Sequence, residues 1–501
     1  MRDRALVTVL GGCLLVATTA YLMVFTLLGQ IGATLGASRT ALDWITIATV
    51  IVGTVSSALL PALGAVLGER RLMVISMVCL AVGSLLSALA PDVAVLLVGR
   101  IVAAPGLAAA ALSIAIVRER RSGPSLARAL GVIAAFEGAA AGTGFALGGF
   151  VEEAARADWR TVFLAMAAIS AAATLMAALV VPDSAVAAAP TGPGSAVVPN
   201  GHPSPRAAAV RRHLDLTGAV LLAGGLAAGL LAITEGGIWG WTSPRIAGLF
   251  GASVALLAVW AVSALRAADP LVRVRVLARP GVALGATFIL VTAVTVGIVN
   301  LTVPSFLETP SAAGFGDSAS VLTAGLDMLP FAAAITLTGY LAGRLAPGLG
   351  TRGIGAAGLC AEALGLTLLA TFPHSVGQVV GFLAVVGIGH GSLVASAYLA
   401  LTKDVPACEA GAAAGFGSAV SGVSGAVASA VITPVLVSRL VLAGSSALPA
   451  ASGYTRSWLY GAAFAAGAAL IVSVVRKAGA GQKPAPVREE AGDVPVGYGP
   501  S

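Results

Sequence analysis

Charge is what this chain has least of. Of 501 residues only 10% are Asp, Glu, Lys or Arg, against roughly 25% in a soluble domain. Lysine is nearly missing: Lys403, Lys477 and Lys483 are three of 29 basic residues, which reads as compositional bias. Cysteine is scarce too. Cys13, Cys79, Cys360 and Cys408 form no C-x-x-C pair, and the first three lie in apolar runs, which excludes a disulfide framework or a zinc site. No G-x-x-x-x-G-K-[ST] loop is present, so ATP does not drive this chain directly; H-E-x-x-H and G-x-S-x-G are missing as well. The run GIGHGS at 387–392 follows no strand and is no dinucleotide loop. No cofactor is expected, and no paired nucleophile and base points to an enzyme.

What fills the chain instead is apolar: 58% hydrophobic residues, 63 glycines and a mean hydropathy of +0.96. No soluble core could hide this much, so the solvent is lipid. Segments long enough to cross it as helices fall at 5–29, 44–67, 72–90, 93–117, 127–151, 161–181, 215–235, 246–265, 282–306, 319–342, 352–371, 376–402, 411–438 and 457–475. They do not alternate polar and apolar as barrel strands do. The first is too long for a signal-peptide core and reads as a spanning helix. The net charge of +7 does not indicate nucleic acid, because the basic residues sit in short loops between spans. With the N-terminus inside, 22 of the 29 lie in inner loops and tails, six in outer loops, and Arg100 within a span. By the positive-inside rule this predicts a multi-pass plasma-membrane protein with both termini cytoplasmic.

The chain repeats itself. PALGAVLGERR after span 2 and GRLAPGLGTR after span 10 share leucine (Leu63, Leu345), glycine (Gly68, Gly350) and arginine (Arg70, Arg352) at matching offsets. Gly138 and Gly142 in span 5 have the same spacing as Gly411 and Gly415 in span 13, a spacing that favours close helix contact. Chance in an Ala/Gly-rich chain is the alternative. The ordered pairs predict an all-α membrane protein of two six-helix halves, 1–181 and 266–477, with two inserted helices at 214–265. The linker 182–213 and the tail 478–501 are too polar and too rich in Pro and Gly to fold alone.

A set of ordered motifs resembles the Major Facilitator Superfamily, in its 14-span drug:proton antiporter branch. Trp159-Arg160-Thr161-Val162-Phe163 is similar to W-R-x-x-F, LDLTGA at 214–219 to the entry of the inserted seventh helix, and PLVRVRVLARP at 270–280 to P-L-x-x-x-L-F-R-N. TAGLDMLP at 323–330 resembles A-G-x-x-x-L-P; GIGHGS and VPACEAGAAAG at 405–415 resemble the late glycine elements. There are departures. In the gating loop Ala65 and Val66 replace the family's Asp-Arg pair, leaving Gly68, Arg70 and Arg71. The span-5 antiporter element keeps Gly144, Gly148 and Gly149 without its proline. Ala103 and Ala104 replace Gln-Gly after Arg100, and Tyr21 lies near where drug exporters often carry an aspartate.

An ionisable group at the bilayer centre costs about 2.5–3.5 kcal/mol on insertion scales, so each is a functional candidate. Glu137 shares a helix stripe with Gly144 and Gly148, seven and eleven residues on, and so faces protein; it is either a proton carrier or a structural hydrogen-bonding group. Arg100 matches the arginine that the resemblance places in the cavity for proton coupling, where a carboxylate partner is expected; otherwise it snorkels to the outer interface. Asp327 either supports a helix break before Pro330 or binds a proton. His390 is either a proton relay or a neutral hydrogen-bonding group. Glu362, in a span that the resemblance makes peripheral, reads as structural, and Asp215 and Glu235 as interfacial. The resemblance implies a monomeric secondary transporter exporting small amphipathic molecules against protons by alternating access. A uniporter, an importer of another solute and a non-transporting sensor remain alternatives.

Overall fold

The computed structural model describes residues 2–151, 158–183, 215–267, 270, 272–443 and 446–480. Nearly all of the expected linker and tail lie outside them. Within the described residues fourteen helices are long and apolar enough to cross a membrane: Arg4–Leu35, Thr40–Leu67, Glu69–Ala88, Val93–Arg120, Gly123–Gly149, Trp159–Val180, Leu216–Trp239, Pro244–Arg266, Pro280–Glu308, Val321–Leu349, Thr351–Thr371, Val376–Lys403, Ala407–Leu436 and Ala451–Val474, numbered here as spans 1–14. A helix satisfies most of its backbone internally, as hydrocarbon requires. The sequence marks their starts with short polar caps. Ser38, Asp92, Asp158, Asp215, Ser243, Ser320 and Ser375 each accept a hydrogen bond from a backbone N–H two or three residues on. Asp215 is therefore a helix cap.

Two spans are broken. Span 4 passes through a 3-10 turn at Ala104–Ala108, where Pro105 removes a donor, and it continues to Arg120, so Arg118 and Arg120 stand on its last turn. Span 10 breaks at Met328, between helices Val321–Asp327 and Leu329–Leu349. One element was not foreseen: a β-hairpin between spans 13 and 14, with strands β1 (Leu440–Ala443) and β2 (Ser446–Pro449).

The two halves meet along two seams. In the first, span 5 lies on span 10, with Gly131 against Gly343, Gly138 against Ile335 and Thr336, Gly142 against Ala332, and Gly149 against Leu322. In the second, span 13 lies on span 2: Gly411 against Pro61, Gly415 against Ala58, and Gly422 against Thr54. The glycine pairs of the repeat thus each face the opposite half. The matched loop glycines agree as well. Gly68 has φ 95° and ψ 122°, Gly350 φ 78° and ψ 144°, a left-handed region that a side chain would strain. Span 7 packs on span 2, span 13 and span 8. At the end of the bundle that carries the basic loops, the apolar core of the N-terminal half runs on into the other half through Ala342, Ala346, Val394, Tyr398 and Ala414.

Candidate functional site

At the end with the basic loops the last part of span 4 packs on span 13, and span 5 packs on span 12, sealing the two halves together. Residues from Ala111 to Val117 and from Leu393 to Leu401 are buried almost without interruption. Arg118 closes the contact. Its Nε donates to Thr402 O at 2.8 Å and its Nη2 to Val405 O at 2.9 Å, so a cation caps the C-terminal end of span 12. Farther into the membrane, the Tyr398 hydroxyl of span 12 donates to Glu137 Oε2 of span 5. Glu137 therefore faces protein, as its glycine stripe implied, but the stripe and the carboxyl face different partners. Gly144 and Gly148 lie against Leu22 and Thr26 of span 1, and Gly149 against span 10.

His390 does not reach into open space. Its Nδ1 lies 3.2 Å from Glu362 Oε1, and Thr295 donates to the other oxygen at 3.1 Å. Arg100 is 2% exposed, which excludes a snorkelled side chain. Its guanidinium carbon stands 5.8 Å from the ring centre of Phe163, and the Tyr21 phenol is within Coulombic reach. The expected carboxylate partner is not found: Nε and Nη1 have no hydrogen-bond partner among the described residues. Tyr21, near the position where the family pattern often has an aspartate, thus neighbours the arginine that lacks one. Asp327 ends the first piece of span 10, and its Oδ2 is buried without a hydrogen-bond partner among the described residues. Glu235 is 2% exposed, so its side chain is covered by protein near the end of span 7.

The gating-loop residues stay within their own half. Arg70 Nη1 pairs with Asp183 at 2.7 Å and Nη2 bonds Ala178 O at the end of span 6, while Arg71 is exposed. Of the sequence candidates, the structure brings together Glu137 with span 12 and His390 with Glu362; Arg100 and Asp327 stand apart. Sequence reasoning missed Tyr398 and Arg118. A signal for Tyr398 existed: a tyrosine on an apolar span needs a partner for its hydroxyl.

The family model described as Major Facilitator Superfamily matches residues 9–429. The chain belongs to the Major Facilitator Superfamily. As a superfamily member it is a membrane transporter, and nothing in the family points to an enzyme. Among curated proteins it is 29% identical over 422 residues to the puromycin resistance protein pur8 of Streptomyces alboniger, covering 81% of this chain and 77% of that one. It is 31% identical over 385 residues to the multidrug resistance protein Stp of Mycobacterium tuberculosis, covering 74% of this chain and 64% of Stp. It is 30% identical over 422 residues to the cephamycin export protein CmcT of Amycolatopsis lactamdurans, covering 81% and 79%. Solved superfamily structures share the fold. The human organic anion transporter MFSD10 matches with TM-score 0.63 at 14% identity, over 94% of this chain and 99% of that one. The proton:xylose symporter XylE matches with TM-score 0.62 at 16% identity, over 94% of both chains.

Proposed function

We propose that this superfamily member is a monomeric, proton-coupled exporter of small amphipathic organic molecules in the plasma membrane, with both termini cytoplasmic. The observation that carries the reading is the hydrogen bond from Tyr398 to Glu137. It places a titratable carboxyl on the seam between the halves, where protonation can bias which end of the bundle is closed. With the basic end cytoplasmic, the sealed state described above faces outward. The names of the curated relatives, which resist or export antibiotics, support the substrate class.

Reconstituted liposomes with an imposed pH gradient and radiolabelled puromycin test this. Wild type should accumulate the label, with proton movement opposite to it. Glu137→Gln keeps a hydrogen-bonding amide but cannot titrate, and gradient-driven flux should fall about tenfold or more, the equivalent of some 1.4 kcal/mol. Unchanged flux with an unchanged pH profile would remove Glu137 from the mechanism. Tyr21, where drug exporters often carry an aspartate, favours a second reading as an importer; protons moving in the same direction as the label would support that one. A reporter fused after Ser501 should be read in the cytoplasm, and an external signal would reverse the orientation.

A further inference from the structure

Glu137 and Tyr398 account for the seam but not for Glu362. That carboxyl is 0% exposed, midway along span 11 and inside the C-terminal half. An apolar side chain would pack there with no desolvation cost, and replacing buried ion pairs by apolar groups is often neutral or stabilising. The fold instead supplies two polar partners from two other spans, His390 of span 12 and Thr295 of span 9. Span 12 comes close enough because residue 389 is glycine: a Cβ there would meet the backbone and side chain of Glu362. The site is built into the helix contact.

It is also tied to the seam. His390 shares span 12 with Tyr398, eight residues on, whose hydroxyl donates to Glu137 of the other half. Span 12 therefore touches two carboxyls, one in each half. Phe331 of span 10 packs beside it, 6.2 Å between ring centres. No further titratable group is placed against the pair among the described residues. Span 9 offers Thr295 and span 10 offers Phe331. Span 14, which also packs on span 11, carries from Trp458 to Val474 only Tyr460, which is exposed.

We propose that Glu362 and His390 form a second proton-binding site of this transporter, linked to Glu137 through span 12. In the unloaded pair, Nδ1–H of a neutral imidazole donates to the Glu362 carboxylate, for a net charge of −1. One added proton, on Nε2 or on the carboxyl, makes the pair neutral. Emptying both sites would leave two negative charges in one bundle, both against span 12, so each occupancy biases the other. The inference rests on the proton-coupled reading of Glu137 and extends it to a second carboxyl.

Infrared difference spectroscopy on the full chain in liposomes follows protonated carboxyls by their C=O stretch as pH is stepped, without any substrate. Wild type should show a titrating component that Glu362→Gln removes. In Glu137→Gln, the midpoint of that component should move by about one pH unit, the size expected for interacting sites. If Glu362→Gln does not fold, His390→Asn identifies the component instead, since it keeps the carboxyl but alters its midpoint. A carboxyl signal untouched by the substitutions at 362 and 390, or a Glu362 midpoint indifferent to Glu137→Gln, would overturn the proposal. Because no substrate enters the measurement, absence of proton-driven puromycin flux would count against the exporter reading and leave this titration to be judged alone.

Discussion

Tyr398 illustrates what a single hydroxyl does on a seam between two moving bodies. Its ring is buried in the continuous core at the sealed end, and its one donor is spent on Glu137 of the other half. Tyr398→Phe keeps the ring and removes the donor, leaving a carboxyl oxygen without that partner at a cost of about 1–3 kcal/mol. Proton-driven flux should persist with its pH profile displaced, because the group that titrates is still present in an altered setting. A profile superimposable on wild type would show that the hydroxyl does not act on Glu137. Glu137 itself was legible in the sequence, since a lone carboxyl on a glycine-lined stripe must face protein. Its partner was not, because the register of span 12 against span 5 is a tertiary fact that neither helix encodes locally. The same holds for Arg100, whose expected carboxylate gives way to the face of Phe163 and the nearby phenol of Tyr21.

Between spans, glycine spacing carried more of the structure than the charged motifs did. The matched pairs in spans 5 and 13 were readable because close helix packing needs small residues every fourth position, and they line the two seams. The break in span 10 was half-visible in Asp327 and Pro330. The hairpin between spans 13 and 14 was not, since its four-residue strands leave too short a pattern to separate from a loop. Backbone meets backbone at Gly131, where a Cβ would lie 2.7 Å from Gly343 Cα. Backbone cannot yield there as a flexible side chain would. Gly131→Val should therefore destabilise by roughly 1–3 kcal/mol through overpacking, lowering the thermal midpoint of the purified protein. Gly353→Ala, which would meet nothing within 4 Å, serves as the control. Equal midpoints for the two variants would mean that spans 5 and 10 are not held at the observed distance.

Taken as one body, the molecule is closed unevenly. Spans 5 and 10 touch from Gly131 near the basic end to Gly149 at the other. Spans 2 and 13 touch at Gly411, Gly415 and Gly422, but a Cβ at Gly425, one turn farther from the basic end, meets nothing. The contact between spans 2 and 13 thus loosens away from the basic end. In the family pattern the loop after span 2 carries an Asp-Arg pair that is replaced here by Ala65 and Val66. In this chain a cation still crosses between the halves there: Arg118 makes two bonds at the end of span 12. Charge-assisted bonds of this kind contribute roughly 1.5–3 kcal/mol each, enough to hold a two-state equilibrium on one side. Arg118→Ala should release the basic end and let the far ends of spans 2 and 13 close. A cysteine pair at Val50 and Gly425, in a background without the four native cysteines, reads this out. With Arg118 present, a short bifunctional thiol reagent should join the pair slowly. With Arg118→Ala, joining should be several-fold faster, and once joined the protein should no longer transport. Equal joining rates in both backgrounds would mean that Arg118 does not hold the basic end closed, and would shift attention to the Tyr398–Glu137 contact across the halves.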